Sequence, residues 1–324
     1  MQLDPERGYD LIGDVHGCGR ALARLLDQLG YRLQGGVWRH SRRQVIFLGD
    51  IIDRGPHIRE ALHLVYDMVD RGQAYCIMGN HEFNALGWYM PAPPGSGREF
   101  VRDRTPRFAR LLQETFEQFA RYPDEGWRAF REWFYELPLF LESERFRVVH
   151  ACWDSWVIAR LRPFLNDACL NPAILREAGL PGTFICQALD RLLRGTDMPL
   201  PEGMTLTSEE GFVRTFFRTK FWEENPQTYA DVVFQPDGLP DHAARMPLSA
   251  QQKNRLFLYG PDEPLLFVGH YWRRGQPGPL RDNLACLDYS AVKNGKLVAY
   301  RLDQEVCLDP AKFVWVDVCA VFRT

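Results

Sequence analysis

The chain has 324 residues, 46% of them hydrophobic, enough to bury one large core or two modest ones. A formal charge of -3 with a pI near 6.3 excludes a global basic field of the kind that would by itself argue for gripping a nucleic-acid backbone. The opening MQLDPERGYD is polar and acidic where a secretory signal is basic and then apolar, and no apolar run approaches the ~20 residues of a bilayer span, so the expectation is a cytosolic protein with no membrane partner.

Tyr9 to Ile12 is a short β-type run, after which Leu22, Leu25, Leu26 and Leu29 recur at the spacing of an amphipathic helix that Gly30 ends. QVIFLGD then reads as a strand, Ile58, Leu62, Val65 and Val69 share one helical face, and AYCIMGN reads as a third strand. This β-α-β-α-β order predicts an α/β fold with parallel pairing, a sheet buried on both faces, and ligand groups at the strands' carboxyl ends. APPGSG reads as a loop, and Phe108, Leu111, Leu112, Thr115, Phe116 and Phe119 as the inward face of a helix, so a cap or lid is expected over 85–131. Residues 154–262 are mixed, mostly helical, and broken by prolines in TDMPLPEG and FQPDGLPDHAARMP; they are expected to be a second insertion into a single domain spanning 1–324. NLACLDYS, KLVAYRLD and KFVWVDVCAVF then read as strands that complete a second sheet, with Asn294-Gly295 as a hairpin turn. Eight cysteines without a C-x-x-C pair read as reduced thiols rather than zinc ligands.

The chemistry is concentrated where the first three strands end. GDVHGC, GDIIDRGP and GNHE each pass straight from an apolar run into a glycine-containing turn that carries metal-ligand types. Oxygen ligands from Asp14, Asp50 and Asn80, with imidazoles from His16 and other histidines, suit a first-row divalent ion such as manganese, iron or zinc better than calcium. Two further histidines follow strand-like runs, His150 in RFRVVHACW and His270 in PLLFVGHYW. His40, His57, His63 and His242 have no such context and read as ordinary core or surface residues.

The ordered set D-x-H-G, G-D-x-x-D-R-G, G-N-H-E, a strand-borne His and a final G-H resembles the calcineurin-like metallophosphoesterase superfamily. GDIIDRG, GNHE and the Leu-Pro pair in FYELPLFLESERFRVVHA resemble, within it, the serine/threonine phosphoprotein phosphatases and their bacterial relatives, including symmetrical diadenosine tetraphosphatases and RNA-repair phosphatases. The resemblance implies a two-sheet β-sandwich flanked by helices and a dinuclear centre. Asp14, His16 and Asp50 would hold one divalent ion; Asp50 as bridge, with Asn80, His150 and His270, would hold the other, manganese first in preference, with iron or zinc as alternatives. A hydroxide bridging the two ions would attack a phosphomonoester in line. Arg54 would fork onto phosphoryl oxygens, His81 would donate a proton to the leaving oxygen, Asp53 would orient His81, and Glu82 would support the loop.

The substrate implied is phosphorylated: a small molecule, a nucleotide or a phosphoprotein. HACW, where the phosphatases carry H-G-G, and GHYW both depart from the pattern and argue against a large phosphoprotein. Hydrolysis of dinucleoside polyphosphates, or of 2′,3′-cyclic phosphates on RNA ends, are the alternatives, and a scaffold without catalysis ranks below both because Asn80, His81 and Arg54 are all kept. Arg214 and Arg218 are candidates for a second phosphate-binding arginine. Trp88, Tyr89, Trp153, Trp156, Tyr271 and Trp272 follow the signature loops, where they either wall a stacking site or pack the insertions onto the sheet, and Cys152 reads as packing.

Overall fold

The computed structural model describes residues 3–4, 7–207, 213–235 and 239–318, and divides into two compact units, Met1–Leu193 with Pro264–Thr324, and Arg194–Glu263. In the larger unit Gly8–Ile12 pairs in parallel with Arg43–Phe47, which pairs in parallel with Ala74–Cys76. The helices Gly19–Gln28 and Ile58–Asp70 make the crossovers, burying Leu22, Leu25 and Leu26 from the first and Ile58, Leu62 and Val65 from the second. Gly30 follows the first helix at φ +92°, a left-handed position that glycine takes without a Cβ clash.

A second sheet runs in the order Leu284–Cys286, Leu265–Val268, Phe146–Val149, Phe140–Glu142, parallel except for its last pair. Alternate side chains of the two sheets meet in one core: Tyr9, Leu11, Ile46 and Leu48 from the first face Phe146, Val148, Phe267 and Ala285 from the second. The Tyr9 and Phe146 rings stand 5.6 Å apart. This is the sandwich flanked by helices that the resemblance implies.

One expectation needs correcting. Of the late strands, Leu284–Cys286 alone joins the second sheet. Asp288–Tyr289, Lys296–Leu302 and Phe313–Asp317 extend the first, because Lys296–Leu302 runs antiparallel to Gly8–Ile12 with Tyr9 opposite Leu302. The first strand is buried on both faces and at both edges, and the late strand supplies the missing edge partner. The part of KFVWVDVCAVF from Cys319 onward lies outside the described residues. The turn before Lys296 is longer than a two-residue hairpin, with Ser290 and Asn294 both left-handed.

Pro106–Phe119 is a helix as the apolar stripe predicts, begun by Thr105, whose hydroxyl accepts from the Phe108 amide. The unit Arg194–Glu263 holds a three-stranded antiparallel sheet of Thr196–Pro199, Phe216–Thr219 and Val233–Gln235, with short helices including Tyr229–Val232 and Ala250–Arg255. Its core is Met198, Phe217, Tyr229, Val232 and Leu248. Among the described residues no helix is long and apolar enough to cross a membrane.

Candidate metal centre

Each parallel strand ends where the backbone must turn sharply, and the residues that turn it carry the polar groups. His16, Asp50, Asp53, Arg54 and His270 all sit at positive φ, from 42° to 70°. Such a conformation costs a non-glycine residue about 1–3 kcal/mol and persists where the surroundings over-determine it. Two glycines make the close approach available: a Cβ at Gly79 would stand 2.3 Å from Asp50 Oδ1, and one at Gly269 would stand 2.1 Å from Asp14 Oδ1.

Asp50 is the hub. Its Oδ2 lies 3.7 Å from His16 Nε2, 3.8 Å from His81 Nε2 and 3.4 Å from His150 Nε2. Ligand atoms of His16, Asp50 and His81 fall within 4.8 Å of one another, as do those of Asp50, His150 and His270, so two clusters share one carboxylate. Asp14 Oδ2 is 3.9 Å from His16 Nε2, and the Asp14 carboxylate accepts from the His270 backbone N–H at 3.2 Å. Asn80 Oδ1 lies 3.1 Å from His150 Nε2. Side chains from Asp14 to His270 thus converge on one rim, at the carboxyl ends of strands in both sheets.

The donor set fits divalent cations. His16 Nδ1 donates to the Ile52 carbonyl at 3.0 Å and His150 Nδ1 to the Leu48 carbonyl at 2.7 Å; a carbonyl only accepts, so in each ring Nδ1 carries the proton and Nε2 turns toward Asp50. Burial and the Arg54 charge hold His16 well below the usual imidazole range, which keeps it neutral as a ligand must be. Burial, reinforced by Asp288, pushes Asp14 well above the carboxylate range. Burial opposes charge on His150 as well, yet Asp50 overrides it and lifts that imidazole to about 10. Crowded buried carboxylates that force a proton onto a neighbouring histidine form a site whose charge balance calls for a cation.

Beside the hub lies a second polar group. His81 Nδ1 is 2.6 Å from Asp53 Oδ2, and its Nε2 accepts from Arg54 Nη2 at 3.2 Å. Asp53 and His81 are buried, whereas Arg54 is exposed. Glu82 is fully buried and its carboxylate accepts backbone amides from Asp50 at 2.8 Å, Ile51 at 2.8 Å, Ile52 at 3.3 Å and Gly79 at 3.0 Å. It therefore ties the Asp50 turn to the helix Asn80–Tyr89 that begins with Asn80 and His81.

Three residues at this rim escaped the sequence reading. Asp288 is buried, follows the strand Leu284–Cys286 and raises Asp14; a strand running into an acid, as in GD, was its signal. Thr115 and Gln118 on the helix Pro106–Phe119 bond to the Asp53 turn, Thr115 to the Asp53 carboxylate and Gln118 to the Gly55 carbonyl. A threonine in an otherwise apolar stripe was the only hint of the first. The aromatics divide: Trp153 and Tyr271 are buried packing residues, Trp153 against Phe140, while Trp156 is 62% exposed with its ring edge on Phe184. Burial pushes the Cys152 thiol up to about 12, which leaves it inert. Arg214 and Arg218 are half-buried within the smaller unit.

Residues 9–166, which carry Asp14 through His150, match the family model for calcineurin-like phosphoesterases. That stretch, just under half of the chain, is similar to the calcineurin-like phosphoesterases. The chain is 51% identical over 143 residues to a bis(5′-nucleosyl)-tetraphosphatase PrpE, designated asymmetrical, of Oceanobacillus iheyensis, a match covering 44% of this chain and 54% of that protein. It is 32% identical over 149 residues to the protein of the same name in a Geobacillus species, covering 44% and 56%. The chain thus spans about half the length of the curated relatives it matches. A solved serine/threonine phosphatase of Saccharomyces cerevisiae is 15% identical, with a TM-score of 0.49 over 98% of this chain and 81% of that one.

Proposed function

We propose that this protein hydrolyses phosphate monoesters at a dinuclear centre held by Asp14, His16, Asp50, Asn80, His150 and His270. The observation that carries the reading is the sharing of Asp50 between two ligand clusters. When bound, two divalent cations supply acidified water and polarise phosphoryl oxygens, and manganese is the ion we favour. The chain's own residues do the rest. Arg54, exposed beside the rim, leaves His81 to fork onto two phosphoryl oxygens and stabilise their growing charge. With Arg54 withdrawn, His81 takes a second proton at Nε2 and, oriented by Asp53 through Nδ1, hands it to the departing oxygen as the P–O bond breaks. Water adds to phosphorus, so no phosphoenzyme forms and no cysteine nucleophile is required.

Purified protein supplied with manganese should release phosphate from p-nitrophenyl phosphate, and the Asp50→Asn variant should not. Equal rates for the two would end the proposal. A second reading, cleavage of dinucleoside polyphosphates, is favoured by the name that both relatives carry. Diadenosine tetraphosphate separates the cases: ATP with AMP marks asymmetrical cleavage, two ADP mark symmetrical cleavage, and intact substrate leaves the monoester reading alone.

A further inference from the structure

We propose that Thr115 is a positioning residue for proton donation to the leaving group, acting from the helix Pro106–Phe119 through Asp53 onto His81; the inference rests on the reading of His81 as the proton donor. Thr115 is fully buried. Its Oγ1 donates to Asp53 Oδ1 at 2.5 Å and accepts from the Asp53 backbone N–H at 3.1 Å, spending both capacities of one hydroxyl on one residue. The other Asp53 oxygen, Oδ2, faces His81 Nδ1 at 2.6 Å. Asp53 is therefore held at three points, and rotation of its carboxylate would cost the threonine hydrogen bond before it re-aimed the imidazole.

The neighbouring turn explains why such a grip is needed. Asp53 and Arg54 are consecutive residues at φ +70° and +67°, an arrangement that does not persist unsupported. Gln118, three residues after Thr115 and so on the same helix face, accepts from the Ile58 amide at 2.7 Å and donates to the Gly55 carbonyl at 3.0 Å. Helix and turn are joined by polar side chains in a place where the helix's own pattern is apolar. If position 115 served packing alone, valine would fill the same volume without burying a hydroxyl.

The step at issue is compact: water bonds to phosphorus as hydroxide, the bond from phosphorus to the leaving oxygen breaks, that oxygen takes the proton from the His81 imidazolium at Nε2, and the proton released by the water restores the imidazolium. A leaving group that is stable as an anion needs the proton little; a basic one needs it greatly. The test compares p-nitrophenyl phosphate with phenyl phosphate in the manganese-loaded full chain, for wild type, Thr115→Val, Thr115→Ser and His81→Gln. We expect Thr115→Val to lower kcat about tenfold or more on phenyl phosphate and less than about threefold on p-nitrophenyl phosphate, with Thr115→Ser within about twofold of wild type on both. Thr115→Val losing equally on both substrates, or keeping wild-type rates, overturns the proposal, as does failure of serine to restore what valine loses. If His81→Gln separates the two substrates and Thr115→Val does not, positioning falls while the function of His81 stands. If His81→Gln does not separate them, both fall together.

Discussion

The strand-end rim of the larger unit and the unit Arg194–Glu263 obey opposite rules. At the rim, charged groups are buried and non-glycine residues take left-handed backbone: Asp14, His16, Asp50, Asp53, His81, Glu82 and His150 are all buried, and three of them stand at positive φ. In the smaller unit, the positive φ values among the described residues belong to Gly195 and Gly203, and the buried polar residues are Thr196 and Thr219, whose hydroxyls bond each other at 2.6 Å. Two of its helices begin with capping boxes, the Asp231 carboxylate on the Thr228 amide and the Gln252 side chain on the Ser249 amide. One region accumulates strain and charge; the other keeps left-handed backbone to glycine and buries few polar groups. Chemistry sits where the local preferences are broken.

The strongest way to break that contrast is to remove the shared charge at the rim. Asp50→Asn, or chelation of bound metal, should lower phosphate release by about a thousandfold or more, because several kcal/mol of charge stabilisation leave with it. The matching change in the smaller unit, Phe217→Ala, should cost about 3–5 kcal/mol in denaturant unfolding of that unit while bound manganese, counted by elemental analysis, stays the same. A loss of manganese would show that the smaller unit is not merely packed. Glu82→Gln should cost about 2–3 kcal/mol, since an amide nitrogen would face backbone donors that a carboxylate now accepts, and activity should fall with it.

A further effect is one of pH. His150 is lifted from the ordinary value of ~6.5 to about 10, so in metal-free protein it contributes stability that is complete below the ordinary value and disappears as pH rises through about 10. Thermal melts of chelated protein should therefore fall from pH 6.5 toward pH 10. Metal loading should flatten that slope, because the ion displaces the proton. Calorimetry at pH 7 should accordingly show a proton released on manganese binding.

The rim was legible from the sequence because its elements announce themselves twice, once as apolar runs and once as ligand types placed directly after them. Asp14, Asp50 and Asn80 could be set on one edge from periodicity alone, since parallel strands put their carboxyl ends together. The sheet to which the late strands belong was not legible: KLVAYRLD is equally apolar in either sheet, and what decides is the edge of Gly8–Ile12 left open by the first three strands. Thr115 was hidden for a similar reason. Its position is set by helical phase, which does not distinguish a hydroxyl buried for packing from one aimed at a carboxylate 62 residues earlier.

The hydrogen bond from the His270 amide to Asp14 closes a span of 256 residues, and it bears on how the molecule is made. A ribosome adding ~5–20 residues each second delivers the second partner roughly ten to fifty seconds after the first. For all of that interval the Asp14 carboxylate lacks the amide from which it accepts in the folded protein. The proposed centre is therefore complete only once the closing segment that carries His270 has emerged and docked.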